Sequence, residues 1–71
     1  MEKFLMMKKE AITQLAILAE CNVENSQQGV CDAVACVFEH GSYRDGAKAL
    51  MIASQWMWAD CEERYHANNE Q

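Results

Sequence analysis

Apolar residues fall in three blocks with helical spacing, separated by two short polar connections. At 100° per residue, Phe4, Leu5, Met7, Ala11, Ile12, Leu15, Ala16, Leu18 and Ala19 share one half of a cylinder, which predicts a first helix over about 2–21. Lys8 intrudes on that half, with its stem expected along apolar surface and its ammonium in water. Met6 and Ile17 project on the opposite, polar side. Residues 22–25 read as the first connection. Asn25, three residues before Gln28, suggests an N-cap with a capping-box partner. A second helix is predicted over 26–40, with Val30, Ala33, Val34, Val37 and Phe38 as its apolar stripe and Cys31 at the edge. Gly41 suits a left-handed C′ position.

Ser42 and Asp45 form an S-x-x-D box that opens a third helix, predicted over 43–67, with its penalised Gly46 confined to the first turn. This helix has two apolar faces. Tyr43, Ala47, Leu50, Ser54, Met57 and Cys61 recur at alternating steps of four and three, flanked by Met51, Trp58 and Tyr65. That near-heptad stripe is expected to face the core. The other cluster, Ala49, Ile52, Ala53, Trp56 and (at its edge) Ala59, is expected to meet a partner, with Met6 and Ile17 as a second contribution. The methionines Met7, Met51 and Met57 read as core filler. The fold class that follows is all-α: one domain over 1–67, a three-helix bundle with a long C-terminal helix completed by a homodimer, and a polar, frayed tail over 68–71.

Composition sharpens this picture. Proline is absent, three residues are glycine, and 51% of the chain is apolar, but ten of those residues are alanine. At 71 residues the interior is thin, and a substrate pocket of several hundred Å³, on the order expected for a ligand site, would consume most of it. The formal charge is −5, and no Lys or Arg lies between Lys9 and Arg44. Direct nucleic-acid binding is therefore disfavoured, since phosphate neutralisation needs clustered cations. A helix-turn-helix reading of the last two helices would offer only Arg44 and Lys48 near the recognition helix start, with Lys3, Lys8 and Lys9 brought in by the fold. No apolar run is long enough for a membrane span, and the N-terminal block lacks the pattern of a secretory signal. Cys21, Cys31, Cys36 and Cys61 are accordingly expected to stay reduced in the cytoplasm.

Candidate chemistry is sparse. Cys31 and Cys36 lie about 140° apart on one helix, and no C-x₂₋₄-C pair closes a zinc site. Asp32, Cys36 and His40 share a face but read better as an exposed polar stripe. Glu63 and His66 have the Glu-x-x-His spacing of di-iron bundles, yet those sites need two such motifs and two more glutamates. Cys36 with His40 is the only local nucleophile–base pair, and nothing identifiable orients it. No catalytic residue, metal or cofactor is expected. The small, acidic, proline-free helical character loosely resembles accessory proteins of phages and other mobile elements, although no motif carries that likeness. The expected function is a non-enzymatic protein-interaction module, a small regulator or inhibitor acting through a helical apolar face. The alternative is a nucleic-acid-associated regulator, acting directly or through a DNA-binding partner.

Overall fold

A computed structural model describes residues 7–69. It contains three helices, α1 (Lys8–Ala19), α2 (Gln27–His40) and α3 (Tyr43–Asn69), and no strand among the described residues. Each helix packs on both others, so the arrangement is the expected all-α bundle. The 27 residues of α3 span about 40 Å, roughly twice the length of either neighbour. The predicted first helix included residues 2–6, which lie outside the described residues, Met6 among them. Met7 is the exposed, extended N-cap of α1, not a core residue.

The helix ends follow different signals from those expected. Helix α1 stops two residues early because Glu20 adopts a left-handed backbone, φ 58° and ψ 41°, without a glycine to announce it. Ser26, not Asn25, caps α2: its Oγ accepts from the Gly29 N–H at 3.0 Å. Asn25 is otherwise engaged, its Oδ1 accepting from Trp56 Nε1 at 2.7 Å. Gly41 ends α2 in an extended conformation, φ −113°, not a left-handed one. What glycine permits there is close approach, since an added Cβ would lie 2.9 Å from the Val37 carbonyl oxygen. Ser42 does cap α3, its Oγ accepting from the Asp45 N–H at 3.0 Å. The helix then continues to Asn69, beyond the expected end at 67.

The core is built from Ala11 and Leu15 of α1, Val30, Ala33 and Val37 of α2, and Ala49, Ile52, Ala53 and Trp56 of α3. Helix α3 is therefore turned about its axis relative to the sequence expectation. Trp56 is 2% exposed, and Ala49, Ile52 and Ala53 are buried with it. Small residues explain why this face goes inward. Ala49 and Ala53 let α1 and α2 approach α3 closely, and Gly46 accepts the Phe38 ring where any Cβ would overlap it. Trp56 then fills the volume the alanines leave, with its N–H satisfied by Asn25.

Candidate interaction face

The heptad stripe expected to face the core looks outward instead. Tyr43 is 81% exposed, Leu50 55%, Trp58 51% and Tyr65 66%, while Met51, Ser54 and Cys61 are exposed and Ala47 and Met57 are half-buried. Helix periodicity explains how both facts hold. On the wheel the centre of this stripe, Ser54, lies about 140–160° from Ala49 and Trp56, so burying one cluster turns the middle of the other to solvent. The partner face expected at Ala49, Ile52, Ala53 and Trp56 is thus intrachain core, because α1 and α2 already cover it. Ala59 is half-buried beside that core. Ile17 is exposed on α1, as its polar-side position implied, but it lines neither of the two hollows along the α3 stripe.

Those hollows give the stripe relief. A groove of about 370 Å³ runs between α2 and α3, lined by Val30, Cys31, Val34, Leu50, Ala53, Ser54 and Met57. Its walls are almost wholly apolar. A second hollow, about 320 Å³, lies among Trp58, Cys61, Glu62 and Tyr65 near the far end of α3. At the near end, the Tyr43 and Phe38 rings pack with centroids 5.9 Å apart, which ties the start of the stripe to α2. Ser54, the polar residue in mid-stripe, donates its hydroxyl to the Met51 carbonyl at 2.7 Å. Its donor is satisfied within the helix, so covering it with apolar surface carries little penalty.

The inner side of α3 is held by charge. Lys8 Nζ donates to Asp60 Oδ1 at 2.9 Å and to Glu63 Oε1 at 3.1 Å, and stands 4.8 Å from the centroid of the Trp56 ring. Arg64 Nε reaches the other Asp60 oxygen at 3.1 Å. The hydrogen bond from Lys8 holds the Asp60 carboxyl below its ordinary value, and the same bond raises Lys8. The ammonium of Lys8, expected in water, is instead held by carboxylates that lie more than fifty residues away in the sequence.

Among the described residues, no three His, Cys, Asp or Glu side chains gather into a possible metal site. Asp32 accepts from Gln28 Nε2 at 2.9 Å, and Glu63 accepts from Lys8 Nζ at 3.1 Å. All four cysteines are free thiols, and Cys36 and His40 share the lining of a hollow of about 150 Å³ with Glu20 and Asp45. Of the cations considered for nucleic acid, Lys8 is committed to the carboxylates of Asp60 and Glu63. No described helix is long and apolar enough to cross a membrane. No protein-family model, curated protein or solved structure matches the chain.

Proposed function

We propose that the protein is a non-enzymatic interaction module whose binding surface is the outward stripe of α3, centred on Leu50, Ser54 and Trp58. The supporting observation is the exposure of five large apolar side chains along a single helix face: Tyr43, Leu50, Met51, Trp58 and Tyr65. Single exposed apolar residues are ordinary on soluble proteins, whereas a continuous row with an apolar groove alongside marks an interaction site. Aromatic and methionine side chains are also those that interfaces favour. The module acts as a small regulator or inhibitor in a reducing compartment, where its four cysteines persist as thiols.

The experiment is recovery of partners from the native host by tagged wild-type protein and by two variants. Leu50→Glu with Trp58→Glu places charge on the stripe without touching the core; Ile17→Glu charges an exposed site elsewhere. We expect the stripe variant to retain its helix content and melting behaviour yet lose every specific partner, second copies included. The Ile17 variant should keep them. Equal recovery by all three proteins would reject the stripe as the binding surface.

A further inference from the structure

We infer that the occupant of the stripe is a second copy of this chain, with its α3 lying antiparallel across a two-fold axis at Ser54. This rests on the reading of the stripe as an interaction surface and names what covers it. A two-fold interface must be self-complementary: if one residue meets another, the reverse contact also forms. For two antiparallel helices the residue a given number of steps to one side of the axis then meets the residue the same number of steps to the other side, so each such pair must be compatible. Along the stripe these pairs match in size and polarity. Outward from Ser54, the third residue on either side is methionine, Met51 and Met57, and the fourth is large and apolar, Leu50 and Trp58. The seventh is small, Ala47 and Cys61, and the eleventh is tyrosine, Tyr43 and Tyr65.

The small residues Ala47, Ser54 and Cys61 form a central column at strict seven-residue spacing, the period of helix-on-helix packing along a shared seam. They let two helices approach to about 8 Å, the near end of the usual range. In this register Ala47 meets Cys61 of the second copy, and Ser54 meets Ser54. On one flank Leu50 lies beside Met57 of the second copy, over the groove floored by Val30 and Val34. On the other flank Met51 lies beside Trp58 of the second copy. The stripe from Tyr43 to Tyr65 is about 33 Å long. With aromatic rings of about 150–250 Å² each, its exposed area is on the order of 600 Å², near the lower bound of what one partner gives a stable interface.

Charge selects the antiparallel sense. Arg44 and Lys48 flank the stripe at its N-terminal end, and Glu62 flanks it on the same side at the C-terminal end. A two-fold axis perpendicular to the helices sets like flanks side by side with their ends exchanged, which brings Lys48 and Arg44 next to Glu62 of the second copy. A parallel pair would instead gather both cationic ends together and both acidic ends together. Opposed helix dipoles add to the same preference.

Site-specific crosslinking tests the axis directly. All four cysteines are replaced by serine, and single cysteines are returned under mild oxidation. Ser54→Cys should give a covalent dimer, because its two copies meet on the axis. Ala47→Cys should not, because its two copies stand about 21 Å apart along the seam, beyond the Cα separation a disulfide allows. Ala47→Cys with the native Cys61 retained should crosslink again. Crosslinking at position 47 as fast as at 54 means a parallel pair and overturns the inference. So does a monomer in sedimentation equilibrium at high micromolar concentration; partner recovery lost only by the stripe variant would then show that the surface binds a different protein. The Leu50→Glu, Trp58→Glu variant should sediment as a folded monomer, and its persistence as a dimer would also overturn the arrangement.

Discussion

Two tryptophans lie two residues apart on α3, and exchanging each for alanine separates the core face from the outward face by energy. Trp56 is almost fully buried, its Nε1 donates to Asn25, and its ring lies under the Lys8 ammonium. A buried indole removes about 150–250 Å² from water, worth roughly 4–6 kcal/mol at 25 cal/mol per Å². Measured aromatic-to-alanine losses in cores are about 3–5 kcal/mol. The upper half of that range applies here, because neighbouring Ala11, Ala49 and Ala53 have no longer side chains with which to fill the hole. A 71-residue domain has a total stability of only about 4–10 kcal/mol, so Trp56→Ala should leave the protein largely or wholly unfolded. Trp58, half exposed, should cost less than about 1 kcal/mol in the monomer. The assay is urea unfolding followed by far-UV circular dichroism at low protein concentration, where association does not contribute. Comparable losses from the two variants, or a larger loss from Trp58→Ala, would show that α3 is turned the other way and would refute the face assignment.

Three further outcomes follow from single contacts. Ser26→Ala should cost about 1 kcal/mol by uncapping α2, checked by chemical denaturation. Asn25→Ala should instead act through the indole: in a double-mutant cycle with Trp56→Phe the two losses should fall short of additivity by about 1 kcal/mol, and strict additivity would deny the hydrogen bond. Stability should depend on acid through Asp60. Its carboxyl is held below 3.8, so its contribution is present above that value and drains away as pH falls through the lowered folded value. Lys8 is raised above 10.5, so its share is full below that value and is lost only as pH climbs through the raised one. The stability difference between wild type and Lys8→Met should therefore hold steady from neutral pH down to about 4 and shrink below it. A difference that changed chiefly near neutrality would point to another group.

Much of this molecule is written in local signals. The three helices follow from 3.6-residue periodicity, and Ser42 caps α3 through the hydroxyl that marked it in the chain. The two apolar faces of α3 are likewise visible in its spacing, as is the seven-residue repeat of Ala47, Ser54 and Cys61. Which face turns inward is not visible there. A helical projection counts apolar residues on each side but holds nothing about the neighbours, and the outward stripe is the longer and more regular of the two.

Tertiary contacts decided the matter. Burying a tryptophan requires a partner for its N–H, and Asn25 supplies one 31 residues away. Lys8 then joins α1 to Asp60 and Glu63 on the same side of α3, and Gly46 admits Phe38 where a side chain would collide. The same contacts explain the misplaced cap, because Asn25 serves the indole and leaves the α2 terminus to Ser26. Sequence alone determined that α3 carries two greasy sides. Only the packing of α1 and α2 determined which one the chain hides for itself, because that choice depends on small residues, hydrogen-bond partners and ion pairs that meet only once the helices are assembled.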